Sequence, residues 1–329
     1  MKVLLIGGTG LISVGIVKHL KARNATITMI NRGQRDDTTG GDVEQLTADR
    51  NDASAFAAAV AGRQFDVVID MFCFTPEQAD LSIKLFAGKC KQFIFCSTVC
   101  TYGGKIPNGV LVNETFPQEP VSNYGRNKVV CEKKFLDANA RGDFAVTIIR
   151  PSSTYGPGGH LIDNIQTDPV AWDRIERGLP VLCTGDGLGL WVSTHRDDCG
   201  KLFAYACLNE RTFGQAYNAT RDRVYTWRDL YREAAESLGK TAQLLMVPAD
   251  WVVAHDPKRF NLLHEITRYH GAYDSSKAQR RCAGVSLRNR LRHRRQANAR
   301  RPPPARQMGQ EQPATRSTTA WSKKPSHSA

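Results

Sequence analysis

The sequence predicts an α/β fold: a doubly wound parallel sheet with a smaller, interleaved C-terminal lobe. Three observations predict it. Through the first half of the 329 residues, short β-branched runs alternate with segments of helical period, as when buried parallel strands are joined by crossover helices. A glycine-rich turn, Gly7-Gly8-Thr9-Gly10, stands between the first such strand and the first such helix. After Arg150 the alternation gives way to Gly- and Pro-containing segments mixed with helices, which suits a second lobe.

The elements follow in order. Strands are expected at Lys2 to Ile6, Thr26 to Ile30, Val67 to Asp70, Gln92 to Cys96 and Ala145 to Ile149, each a short apolar or β-branched run. Helices are expected at Leu11 to Lys21, Ala53 to Ala61, Pro76 to Ala87 and Asn123 to Ala140, the third opened by a proline in its first turn. The second lobe includes the turns Pro151 to Gly159 and Thr184 to Gly187 and a helix at Trp227 to Leu238. The boundaries predicted are a dinucleotide-binding domain over 1–150, a substrate lobe over 151–276 and a basic tail over 277–329. That tail is rich in Arg, Gln, Ser and Pro and poor in aliphatics, so it is expected to be disordered.

Composition limits the function classes. A chain that is 41% hydrophobic can bury a full core, and its apolar runs fall far short of the roughly 20 residues of a membrane span. No membrane association is expected, and the N-terminus reads as a strand and not a signal peptide, so a cytoplasmic location is expected. The nine cysteines form no CxxC pair, so no metal site is expected. The formal charge of +13 belongs to the tail: 14 of the 45 basic residues lie from Lys277 onward against one acid, Glu311, and the 31 before it balance 31 acids. Nucleic acid is therefore an unfavoured partner for the folded body.

The chemistry is carried by motifs. In Gly7-Gly8-Thr9-Gly10-Leu11-Ile12-Ser13, Gly7 permits the tight turn and Gly10 lets the backbone approach a pyrophosphate held on the helix N-terminus. Gly7, Gly10, Leu11 and Ile12 are thus expected cofactor contacts. The second strand lacks the terminal carboxylate that grips the ribose of NAD and ends Ile30-Asn31-Arg32-Gly33. Arg32 either faces the 2′-phosphate of NADP or is a solvated loop residue. Asp49 lies where adenine is often touched in such folds, while Asn51 or Asp52 caps the next helix. Tyr124 and Lys128 stand at i and i+4 on one helix face, where an ammonium would lower the phenol's pKa and let it exchange a proton with a substrate hydroxyl.

A buried strand runs into Cys96-Ser97-Thr98-Val99-Cys100-Thr101-Tyr102-Gly103 ahead of this YxxxK pair. Together they resemble the extended short-chain dehydrogenase/reductase family, particularly its NAD-dependent epimerase/dehydratase branch. The resemblance implies a Rossmann-like fold over residues 1 to about 275. It also implies Thr98 as the catalytic hydroxyl, Tyr124 as the proton-transfer group and Lys128 as the residue that binds the nicotinamide ribose and tunes Tyr124, with Ser97 as the substitute hydroxyl. Two later segments are similar to the family's: Arg150-Pro151 through Tyr155-Gly156-Pro157-Gly158, which would border the nicotinamide through Pro151 and the substrate through Tyr155, and His195-Arg196-Asp197-Asp198. Read locally, these are a turn and a helix N-cap.

One departure concerns substrate. Nucleotide-sugar epimerases usually place an arginine four residues before that histidine, and Trp191 stands there, either stacking on a sugar or nucleobase or packing in the lobe. The expected activity is NAD(P)-dependent epimerisation or dehydration of a sugar or sugar nucleotide by transient hydride transfer. An NADP-dependent reductase of a keto substrate is the alternative, and an RNA-binding protein on the same fold is the rival from another class. A homodimer is compatible with this reading. From about Arg281 the sequence reads like translation in another frame, which would leave the body without a final helix.

Overall fold

In the computed structural model, the residues described are 1–34, 42–107, 109–157, 159, 161–162, 164–166, 169–282 and 284–287. Strands β1 (Lys2–Ile6), β2 (Thr26–Asn31), β3 (Glu44–Thr47), β4 (Val67–Asp70), β5 (Gln92–Cys96) and β6 (Ala145–Pro151) lie in one parallel sheet. Helices α1 (Leu11–Lys21), α2 (Ala53–Val60), α3 (Pro76–Phe86) and α4 (Asn123–Arg141) lie between them in sequence. Every element expected in this half is present within two residues of its expected ends. The smaller elements that follow are β7 (Ser153–Tyr155), α5 (Val170–Glu176), β8 (Val181–Thr184), β9 (Leu190–Trp191) and β10 (Ser193–His195). Beyond them come α6 (Arg196–Ala206), β11 (Gln215–Ala219), β12 (Tyr225–Thr226), α7 (Trp227–Ser237), β13 (Leu244–Val247) and α8 (Ala249–His255). The last is α9 (Ser276–Arg281).

The seven-stranded sheet runs β11-β6-β5-β4-β1-β2-β3, all parallel. Strand order reverses between β1 and β4, and a ligand crevice forms beyond the carboxyl ends of strands at such a switch point. The central strands are buried on both faces, as a sheet covered by helices on both sides requires. One side is filled by residues such as Leu5, Ile16 and Phe203, the other by Leu4, Phe93 and Phe135. The seventh strand, β11, and helix α6 of the first core come from the second half of the chain, so the two halves interleave. The remaining lobe has its own core around Tyr155, Trp191, Trp227 and Tyr231.

One correction concerns the C-terminal part. The packed body continues past 277: α9 is helical, and Ala278, Cys282, Val285 and Leu287 are buried in the first core. The reason is local. These apolar residues make a short stripe that the arginines around them conceal in the average composition. The rest of the expected tail, 288–329, lies outside the described residues, and with it most of the segment that reads like another frame.

Candidate functional site

At the switch point, Gly7 leaves β1 with φ of 86°, in the left-handed region that glycine enters without strain. Its missing Cβ would lie 3.1 Å from the Cβ of Phe72 in the turn after β4. Gly10 then caps α1, with no side-chain cap and no acid in the first turn, so the N–H groups of Leu11 and Ile12 face no internal anion. This arrangement fits a pyrophosphate. Ser13 fills the third position of the glycine motif; its hydroxyl donates to the Gly7 carbonyl at 2.9 Å. Close packing also occurs two residues further on, where a Cβ on Gly15 would meet the Arg196 carbonyl of α6 at 2.4 Å.

The crevice is bordered by Gly7, Gly10, Arg32, Asp49, Arg50 and Phe72. Arg32 is exposed at its rim. Asp49 accepts from the Asn51 N–H at 2.9 Å, while Asp52 caps α2. Arg50, which sequence reasoning passed over, pairs with the fully buried Asp70 at 2.7 Å and donates to the Ser82 hydroxyl. Its Nε, also buried, is a donor with no acceptor among the described residues. A dinucleotide with its adenosine end over Asp49 and Arg50 fits these residues. Asp70 also accepts from the Phe72 N–H at 3.0 Å and so pins the turn carrying Phe72 and Phe74.

Phe74 lies beside Tyr124, ring centroids 6.2 Å apart. Tyr124 sits in the first turn of α4, which Ser122 caps by accepting from the Gly125 N–H at 3.0 Å. Gly125 decides how near this turn comes to the loop after β5: a Cβ there would stand 2.6 Å from the Cys100 carbonyl. The approach brings the Tyr124 hydroxyl beside the Thr98 side chain. Thr98 Oγ1 accepts from the Cys100 N–H at 3.2 Å, which fixes the threonine. Tyr124 is 37% exposed as a residue, yet the packing around its hydroxyl desolvates it.

Lys128, one turn on, is 1% exposed and donates to the carbonyls of Cys73 (2.8 Å) and Cys96 (2.6 Å). The rings of Phe95, Phe74 and Tyr124 surround its ammonium at 4.7, 4.9 and 5.7 Å to their centroids. The expected lowering of the phenol is not what the geometry produces. Burial raises the Tyr124 pKa above its ordinary value, with Thr98 the only group opposing it. Two of the lysine's three donors are already committed to carbonyls, and the phenol keeps its proton.

Ser97, the expected substitute hydroxyl, is tied elsewhere. Its hydroxyl donates to Glu132, which also holds Arg150 through bonds of 2.9 and 2.6 Å. Arg150 in turn donates to the Tyr102 hydroxyl, which donates to Asn218 at 2.7 Å. All five are buried, and burial pushes the Tyr102 phenol up to about 12. Ser97 therefore spends its proton within this network. Pro151 ends β6 directly after Arg150, buried beside β11.

The other expected substrate contacts separate. Trp191 stacks on Trp227 at 4.8 Å, so a ring face expected for substrate packs in the lobe; the residue still borders a second cavity beside Thr98. Tyr155 is 3% exposed and meets His195 edge-on at 5.3 Å. His195 is the N-cap of α6, its Nδ1 accepting from the Asp197 N–H at 3.2 Å. Neither borders that cavity. Among the described residues no His, Cys, Asp or Glu group could hold a metal ion, and no helix is long and apolar enough to cross a membrane.

Residues 78–219 match the model of the NAD dependent epimerase/dehydratase family. Over 274 residues the chain is 26% identical to 2′-dehydrokanamycin reductase of Streptomyces kanamyceticus, covering 83% of this chain and 77% of that one. It is 23% identical over 279 residues to chloroplast stem-loop binding protein of 41 kDa b of Arabidopsis thaliana, covering 79% and 67%. The fold is similar to that of Thermus thermophilus UDP-glucose 4-epimerase, solved with NAD, with a TM-score of 0.68 at 19% identity over 85% of this chain and 92% of that one. With the sheet order, these similarities show a Rossmann-like fold, and the matched segment 78–219, which carries Thr98, Tyr124 and Lys128, is similar to the NAD dependent epimerase/dehydratase family.

Proposed function

We propose that this enzyme interconverts a secondary hydroxyl and a keto group on a sugar-like substrate by exchanging hydride with NAD(P) held in the crevice above β1 and β4. The observation that carries the reading is the placement of the Tyr124 phenol beside the Thr98 side chain and the buried Lys128. The nicotinamide supplies or accepts the hydride when bound. Thr98 orients the reacting oxygen, and Tyr124, which keeps its proton, gives it to that oxygen as the carbonyl is reduced or takes it back in the reverse direction. Lys128 holds the turn after β4 to the end of β5 beneath them through the Cys73 and Cys96 carbonyls.

Epimerase or dehydratase chemistry returns the hydride within one turnover; reductase chemistry consumes it. The reductase reading is supported by Arg32, which stands at the crevice rim where NAD enzymes carry a carboxylate, and by the reductase relative. Mass spectrometry of the purified protein tests the choice. Retained NAD supports internal recycling, and NADPH oxidation that depends on a keto sugar supports the reductase. Tyr124→Phe should cut either activity by roughly 100-fold or more while leaving cofactor affinity near wild type, the scale for removing a general acid or base. Wild-type turnover in that variant sinks the assignment. The RNA-binding rival, which the stem-loop binding relative keeps in view, predicts salt-sensitive RNA affinity in the absence of any cofactor effect.

A further inference from the structure

The cavity beside Thr98 has a charge character that the cofactor crevice does not share. It is bordered by Thr98, Ser122, Trp191, Glu265, Tyr269 and Tyr273 among others, and its described lining holds one carboxylate, Glu265, and no lysine or arginine. A diphosphate entering it would meet a carboxylate and none of the guanidinium or ammonium groups that recognise phosphates.

Glu265 is placed by an unusual piece of backbone. Leu263–Thr267 is a π-helical turn, closed by the Arg268 N–H donating to the Leu263 carbonyl five residues back at 3.3 Å. Such turns are rare and concentrate at functional sites. The Glu265 carboxylate accepts from the Asn261 amide at 3.2 Å and makes no ion pair among the described residues. The nearby Arg268 is turned to Asp250 at 2.8 Å. A second, independent feature borders the same cavity: Trp191, 8% exposed, carries an Nε1 donor with no acceptor among the described residues. Trp191 and Tyr273 supply electron-rich surface suited to a cation, while the Tyr269 ring already has the Arg268 guanidinium 6.0 Å from its centroid.

We infer that Glu265 is a specificity-determining residue and that the substrate is an amine-bearing sugar or aminocyclitol carrying no diphosphate. This rests on the hydride-exchange reading above. The substrate's ammonium pairs with Glu265 among the aromatic walls, and a substrate oxygen accepts from Trp191 Nε1, with the reacting carbon at the Thr98 end.

The test is calorimetry on the full chain saturated with NADP+, using three probes: kanamycin, its fully N-acetylated derivative and UDP. Kanamycin should bind to wild type. N-acetylation of the probe and Glu265→Gln in the protein should each weaken binding about 10-fold or more, the scale of one charge-assisted hydrogen bond, and UDP should not compete. The inference is overturned if UDP binds as tightly as kanamycin, if acetylation leaves the affinity unchanged, or if kanamycin gives no binding. Fluorescence titration with NAD and NADP separates the two readings. A protein that binds neither cofactor loses the hydride reading itself, whereas one that binds cofactor but is blind to the probe's charge loses the amine inference alone.

Discussion

Lys128 shows how one buried charge is made tolerable and put to use. Its ammonium is satisfied by two carbonyls and aromatic faces, so Lys128→Ala leaves two buried acceptors without a donor, at about 1–3 kcal/mol each. Both melting temperature and turnover should fall together. A variant that loses turnover at unchanged stability would show that the carbonyl bonds matter little to the fold. His195 makes a second prediction. Burial chiefly, against the pull of Asp197, holds its pKa below the ordinary 6.5. The unfolded chain therefore takes up the proton first as pH falls. The stability from the neutral, capping imidazole is fully present above pH about 6.5 and is lost below it. Denaturation midpoints should drop on acidification, and His195→Asn, which can still cap α6, should flatten the part of that drop due to this residue.

Among elements, α1 and α6 come together through glycines. A Cβ on Gly200 would lie 2.2 Å from the Gly15 carbonyl carbon, against backbone that cannot swing aside as a side chain could. Gly200→Ala should destabilise by about 1–3 kcal/mol, the range for overpacking. It should also weaken cofactor affinity, because α1 carries the pyrophosphate end of the crevice. Differential scanning calorimetry together with cofactor titration checks both, and a variant as stable as wild type would mean that the helices separate at little cost. The close approach of α1 to α6 rests on Gly15, visible beforehand only as one more small residue in a helix.

For the whole molecule, the chain from Ser97 through Glu132, Arg150 and Tyr102 to Asn218 ties β5, α4, β6 and β11 into one buried network. Breaking a buried pair from one side leaves the other charge uncompensated, so Glu132→Gln should cost about 3–5 kcal/mol. The denaturant midpoint reads this loss. A cost near that of a surface substitution would show that Arg150 finds another partner or water. Because Ser97 is tied to the network and adjoins Thr98, turnover should fall more steeply with temperature in this variant than in wild type.

The strands and helices of the first half were legible because local periodicity and turn chemistry dictate them, and Gly7, Gly10, Thr98, Tyr124 and Lys128 could be singled out as candidates because their order along the chain is distinctive. The sequence by itself also determined that the basic charge lies in the last segment. Only the tertiary structure decided the partners of side chains brought from distant segments. Ser97 meets Glu132 and Trp191 meets Trp227 through contacts between different elements that no local spacing encodes. The phenol of Tyr124 is governed by how deeply its hydroxyl is buried and not by the lysine four residues away, since desolvation depends on everything packed around a group while spacing reports only its nearest neighbours along the helix.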